Sequence, residues 1–288
     1  MRKKIKVLGN NTGLGNQIQF IPIIELLKTK YDVFSDSNVF YELGILGPAA
    51  PAKKADINIT VFGYDVKKFW NEKLRNSGKF FGFKYRVKGV HTGLGYDKSI
   101  RFDEKKNEID NNIEAFRYFF NDYSSEITYN INKNREINSN KLVVGISPKK
   151  EKTLPISLWK KLIENFEEMG FTVYTVDHDI GYGNYVSTPS LSDLKNFLKD
   201  AAYYVGTDSG VMHLADILNI PLLIMFGSTS IAKNGPYNAK SKVISRELSC
   251  SPCYDWGRVN CPYEFRCMNF NEEYILNNFK ELCQSQSQ

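Results

Sequence analysis

In 288 residues no apolar run approaches the ~20 residues that a membrane-crossing helix needs, so a helical membrane span is excluded. A secretory leader is not expected either. The opening MRKKIKVLGNN has a basic flank, but its apolar part is shorter than a signal core and reads as a first strand. A cytoplasmic location is the expectation that follows. Nor is there a large excess of charge. The net +6 and pI near 8.8 have the sign that suits a lipid headgroup surface, an anionic glycan or nucleic acid, so peripheral membrane contact and nucleic acid stay open as partners. The excess is scattered, and an ordinary solvated surface accounts for it. With 42% apolar and 24% charged residues the composition is that of a globular protein, long enough for about two domains.

An intact dinucleotide fingerprint is also lacking. Lys4 to Leu8 reads as a strand leading into Gly9-Asn10-Asn11-Thr12-Gly13-Leu14-Gly15-Asn16. A helix with Ile18, Ile21, Ile24, Leu26 and Leu27 follows, in which Pro22 fits only a first turn or a kink. Gly13 and Gly15, with Asp36 about 20 residues on, are what a Rossmann dinucleotide site would use, yet Ile18 stands where the third glycine belongs. An NAD-dependent oxidoreductase is therefore one alternative, and it predicts NAD binding in the first domain.

What is present is a stretch around which the rest can be organised, Ala201 to Ser230. An apolar run from Ala202 to Val205 stops at Gly206, and Val211, Leu214, Ala215 and Leu218 then recur at helical spacing until Pro221. This predicts strand, turn, helix, strand. The turn Gly206-Thr207-Asp208-Ser209-Gly210 supplies flexible backbone and, in Asp208 or Ser209, an N-cap. Unpaired N–H groups and the positive end of the helix dipole then suit a diphosphate, with His213 in the first turn as an added donor. A second apolar run, Leu222 to Phe226, ends in Gly227-Ser228-Thr229-Ser230, so two strand ends open side by side, where ligands of parallel α/β sheets bind.

Elsewhere the pattern predicts a helix over Asn107 to Phe120 and, from composition, a linker over Asn130 to Asn140, which sets domains at 1–140 and 141–288. The second domain restarts with a strand from Leu142 to Ile146, the loop Ser147 to Pro155, a helix from Ser157 to Met169 and a strand from Thr172 to Val176 ending in Asp177-His178-Asp179. Glu272 to Leu282 reads as a last helix that could cross back to the first domain.

The series T-D-S-G-x-M-H-L-A, then I-P-L-L-I-M-F-G-S-T-S, then Gly235-Pro236-Tyr237, resembles the C-terminal signature of the family 9 glycosyltransferases, the heptosyltransferase family. The loop Lys152-Thr153-Leu154-Pro155 is similar to that family's K-x-W-P element, and G-L-G-N-Q-I-Q-F-I-P to its first loop and helix. The resemblance implies a GT-B architecture of two Rossmann-like α/β domains facing across a cleft, the first holding the acceptor and the second the nucleotide sugar. It implies inverting transfer without a metal ion, by family precedent of heptose from ADP-heptose to a lipopolysaccharide core glycan or another lipid-linked glycan. Donor-binding residues would be Lys152, Asp177, Thr207, Asp208, Ser209, Gly210, His213 and Thr229. One position departs from the family. Its aspartate, the favoured general base, is here Asn16, and an amide cannot take a proton at neutral pH. Asn16 would then only orient the acceptor, with His91, Asp97 or Asp103 as substitute bases, although a plain loop role explains each of these too. A protein that keeps the donor site and only binds nucleotide sugar or glycan, and transfer to a protein or nucleic-acid acceptor, are the remaining alternatives.

Cys250, Cys253, Cys261 and Cys267 cluster as C-x2-C-x7-C-x5-C. In a cytosolic chain such a cluster favours metal ligation over disulfides, and four thiolates suit a structural zinc or iron. Some family members carry an iron site of this kind. Reduced, unliganded thiols are the equal alternative.

Overall fold

The computed structural model describes residues 2–47, 54–87, 90–132, 134–238, 240–254 and 260–286. They form two compact units, Met1–Tyr129 and Asn130–Gln288. The first runs β1 (Lys4–Leu8), α1 (Leu14–Gln19), α2 (Ile21–Lys30), β2 (Asp32–Ser35), α3 (Val39–Glu42), β3 (Ile57–Thr60), α4 (Val66–Arg75), β4 (Lys79–Lys84), β5 (Arg86–Val87), β6 (Val90–His91), β7 (Lys98–Arg101) and α5 (Glu108–Phe120). Five strands make one sheet in the order β2-β1-β3-β4-β7, every pair parallel. The chain leaves β1 in one direction and returns on its other side, so β1 and β3 flank the switch point of the sheet. Pro22 falls at the start of α2, where its missing N–H costs nothing, and the helical run breaks at Phe20 rather than continuing from α1. Below the switch point the rings of Phe62 and Phe102 stack with centroids 3.7 Å apart, and Phe83 packs edge-on to both.

The second unit runs β8 (Asn138–Gly145), α6 (Ile156–Glu168), β9 (Thr172–Val176), β10 (Asn184–Tyr185), α7 (Leu191–Leu198), β11 (Ala201–Thr207), α8 (Gly210–Ile217), β12 (Leu222–Phe226), α9 (Ile231–Asn234), β13 (Ser241–Ser245) and α10 (Glu272–Ser285). Its sheet is again all parallel, in the order β10-β9-β8-β11-β12-β13. Every residue of β12 is buried, as expected of a central parallel strand covered on both faces. The segment expected to be a linker is tied into this unit instead. The guanidinium of Arg135 donates to the carbonyls of Asn219, Lys199 and Ala201, and β8 already starts at Asn138. Likewise α10 packs on α6 and the sheet, its Ile275, Phe279 and Leu282 joining the core around Trp159 and Phe166.

Two glycines shape the floor of the switch point between β8 and β11. Gly145 and Gly206 are register partners, and a Cβ on Gly145 would fall 1.8 Å from the Tyr204 hydroxyl, one on Gly206 2.8 Å from the same side chain. The fully buried Tyr204 ring takes the space that side chains on these two positions would need.

Candidate functional site

At the C-terminal end of β11 the backbone turns through Thr207 and Asp208, and Ser209 caps α8 by accepting a hydrogen bond on Oγ from the Met212 N–H at 3.2 Å. Ser209→Ala should therefore lower the unfolding free energy by about 1 kcal/mol in a urea titration, and an unchanged midpoint would show that the cap contributes nothing. Between the expected capping candidates the structure selects Ser209. Asp208 has another task. Its Oδ2 lies 2.9 Å from Lys152 Nζ, and its Oδ1 lies 3.7 Å from His213 Nε2. Lys152 reaches it from the loop after β8, so the pair spans the switch point of this sheet.

All three side chains are largely out of water, with 15% of Lys152, 6% of Asp208 and 5% of His213 exposed. Burial alone would push the Asp208 carboxyl up, but the neighbouring His213 and the Lys152 charge outweigh it and hold the carboxyl well below the usual carboxylate range. Among the described residues, His213 Nδ1 and Thr207 Oγ1 are buried and have no hydrogen-bond partner. His213 thus backs Asp208 from the first turn of α8, with its other ring nitrogen left over. Together with the opening N–H groups of α8, these atoms make a dry, polar, cation-bearing corner able to hold an anion.

The loop after β12 closes one side. Ser228 and Thr229 are buried, and Ser228 Oγ donates to the Glu151 carbonyl at 2.7 Å, tying this loop to the one that carries Lys152. Leu154, in the position of the family's aromatic residue, is buried in the core under the loop, whereas Lys149 and Lys150 are exposed. Asp177 stands at the end of β9 with φ of 77° and is exposed. Left-handed backbone is uncommon for a non-glycine residue, and aspartate is among those that tolerate it. Asp177-His178-Asp179 is an Asp-x-Asp sequence. Asp179 accepts the Gly181 N–H at 2.8 Å as a turn residue does.

In the first unit the site residues do not converge. Asn16 lies at the switch point, its Nδ2 donating to the Phe62 carbonyl at 3.0 Å, so its amide joins the β1 and β3 loops. Asp97 lies just before β7, at the N-terminal edge of the sheet and away from Asn16. Its carboxylate accepts the Phe80 N–H at 2.8 Å, with Lys73 3.8 Å away. Asp103 caps a turn, accepting from the Lys105 N–H. His91 belongs to the short antiparallel pair β5–β6, and its side chain lies outside the described residues. Asp36, which a dinucleotide site would present to a ribose, accepts instead from the Gly9 and Asn10 N–H groups at 2.8 and 3.0 Å and from the Tyr64 hydroxyl at 3.2 Å. It holds the β1 loop, so its carboxylate is already engaged within the chain.

The cysteine segment lies beside the loop after β12, through hydrogen bonds of Ser251, Cys253 and Tyr254 to the Gly227 and Ser228 carbonyls. Burial, then the nearby Cys261 and Cys250 sulfurs, raise the Cys253 thiol, and burial with the three other sulfurs raises Cys267, so the four share one neighbourhood. Their chemistry suits zinc or iron. Yet among the described residues no three of the thiols, imidazoles and carboxylates stand where they could hold one ion.

Sequence reasoning passed over Asp216, Ser228 and Tyr254. Asp216 is fully buried in α8 and accepts the Tyr237 and Asn238 N–H groups at 2.7 and 3.0 Å, which docks the Gly235-Pro236-Tyr237 segment. A carboxylate inside an otherwise apolar helix was the available signal.

Comparison with known proteins agrees with this fold. Residues 185–263 match the model of glycosyltransferase family 9 (heptosyltransferase). The lipooligosaccharide heptosyltransferase 2 of Campylobacter jejuni serotype O:6 is 22% identical over 268 residues, which covers 90% of this chain and 71% of that protein. The solved ADP-heptose lps heptosyltransferase II of E. coli superposes with a TM-score of 0.72 at 14% identity, covering 99% of this chain and all of that one. The iron-containing dodecameric glycosyltransferase TibC of enterotoxigenic E. coli superposes with a TM-score of 0.58 at 13% identity, covering 99% of this chain and 80% of that one. No helix among the described residues is long and apolar enough to cross a membrane. Two parallel α/β sheets, with the T-D-S-G turn and its lysine partner at one switch point, give this chain the fold of the solved heptosyltransferases, and the sequence of its second unit is similar to glycosyltransferase family 9.

Proposed function

We propose that the chain transfers a sugar, with inversion, from a nucleoside diphosphate sugar to a hydroxyl of a glycan acceptor. The observation that carries this reading is the 2.9 Å Lys152–Asp208 pair beside the capped N-terminus of α8, in the stretch next to the buried Thr207 and His213. As the acceptor oxygen attacks the anomeric carbon, the bond to the diphosphate breaks and negative charge grows on the leaving oxygen. The N–H groups of Ser209 to Val211 and the Lys152 ammonium are preorganised to receive that charge. Asp208 keeps Lys152 aimed, and His213 keeps Asp208 in place. Thr229 and Asp177 complete the donor pocket, Asp177 on the nucleoside side.

The second unit (141–288 in the sequence reading) takes the donor and the first the acceptor. Asn16 orients the acceptor loop through Phe62 and takes no proton, so the proton leaves through another group or through solvent. The relatives name ADP-heptose and lipooligosaccharide, and on that basis heptose from ADP-heptose is the first donor and a lipopolysaccharide core glycan the first acceptor to try.

The test is a thermal-shift screen against ADP-heptose and ADP-, GDP-, UDP- and CDP-hexoses with NAD as control, followed by product analysis with core glycan. A ligand at a hundredfold excess over its dissociation constant adds about 2.7 kcal/mol to the folded state. Stabilisation by ADP-heptose that is lost in His213→Ala, with a product of anomeric configuration opposite to the donor, is the expected result. Stabilisation without any product would favour a binding-only protein. No response to any nucleotide sugar would overturn the donor-site assignment.

A further inference from the structure

We infer that Tyr254 is a positioning residue for the donor site, an aromatic wall that holds the Lys152 ammonium where a donor phosphate can meet it. The inference rests on the donor-site reading above and adds the cysteine segment to that site. Lys152 Nζ lies 4.5 Å from the centroid of the Tyr254 ring. A ring face attracts a cation through its quadrupole, and the attraction grows as water is excluded, as it is around this ammonium. Among the described residues Asp208 is the hydrogen-bond partner of Lys152 Nζ. An ammonium carries three donors. With one donor given to the carboxylate, the ammonium keeps others for a phosphate oxygen.

The ring is not placed there by chance contact. The Cys253 and Tyr254 N–H groups both donate to the Ser228 carbonyl, at 2.8 and 2.9 Å, and Ser251 Oγ donates to the Gly227 carbonyl. The same Ser228 donates through Oγ to Glu151, the residue before Lys152. Ser228 is 1% exposed and has no freedom to drift. One buried serine therefore sets the backbone on both sides of the ammonium–ring contact. Gly227 beside it has no room for a side chain, since a Cβ would lie 2.2 Å from Met268 Sδ and 3.0 Å from Cys267 Sγ. The cysteine segment thus bears directly on the residue proposed to meet the phosphate.

Two readouts test the inference. Isothermal calorimetry with ADP measures donor-site affinity, and brief acetylation with sulfosuccinimidyl acetate followed by peptide mass spectrometry measures how accessible Lys152 is. Tyr254→Leu should weaken ADP binding about three- to tenfold and raise Lys152 acetylation severalfold. Tyr254→Phe, which keeps the ring, should recover both. In a Lys152→Met background Tyr254→Leu should have no further effect on ADP affinity, which a merely structural role would not predict. Tyr254→Met, of similar length, replaces the leucine variant if that one fails to fold. Equal affinity and equal acetylation in the leucine and wild-type proteins would overturn the inference. Wild-type protein that binds no nucleotide while acetylation still follows the ring would overturn the donor-site reading and leave the ring–ammonium contact standing.

Discussion

Lys152→Met is expected to cost about 3–5 kcal/mol of stability, because it leaves a buried carboxylate without its cation. Asp208 is only 6% exposed and Lys152 15%, so water cannot screen the loss. Donor affinity should fall with it, since the same ammonium is the group proposed to meet the phosphate. The two effects separate in Lys152→Met/Asp208→Asn. Removing the charge as well as its partner should return much of the stability and none of the affinity. Urea denaturation of the four members of the cycle measures the first effect, and calorimetry with ADP the second. Additive losses in the double variant would mean that the pair is not coupled.

The pair also sets an acid limit. In the folded chain the Asp208 carboxyl lies below its unfolded value of about 3.9. Its contribution is therefore fully present above that value and is lost as pH falls through the folded one. In Lys152→Met the folded value moves up toward the unfolded one, so the part of the stability that acid removes should shrink.

Asn16→Asp is expected to be slower or unchanged in turnover and less stable by about 1–3 kcal/mol at pH 7. The family resemblance suggests the opposite, a restored base and a large gain. The geometry decides against it: Asn16 Nδ2 donates to the Phe62 carbonyl at 3.0 Å, and an ionised carboxylate there has no hydrogen to give and faces the carbonyl oxygen. The deficit should depend on pH. A protonated carboxyl introduced at position 16 can still donate, so the hydrogen bond favours the neutral form and raises the folded pKa above the unfolded one. The deficit is then small in acid and grows as pH rises from the unfolded value through the folded one. Melting of both proteins from about pH 3.5 to 8, a range that brackets the unfolded carboxyl value, reads this directly. A gain in turnover of about a hundredfold or more, the scale of a positioned general base, would show that position 16 is the base site after all.

Much of the donor half is legible before folding. The strand–turn–helix–strand over Ala201 to Phe226 follows from apolar runs, a serine cap and Pro221, all of which act within a few residues. The helix behind Asn107 and the early break at Pro22 are readable for the same reason. Boundaries are less so, because Arg135 draws the polar run after residue 130 into the second unit through carbonyls far along the chain.

Hydrophobic period, capping and turn chemistry are local, and for that reason the elements, the cap and the position of the turn before α8 are already written in the order of the residues. What those groups do is a matter of how the chain packs. Lys152 meets Asp208 because strand order sets β8 beside β11, 56 residues apart in sequence. Asn16 meets a carbonyl 46 residues away, so its amide joins the β1 and β3 loops. Asp97, equally polar on paper, is carried to the other edge of its sheet. No local pattern encodes which strand ends become neighbours; burial of the two sheet faces does, and it is a property of the whole chain.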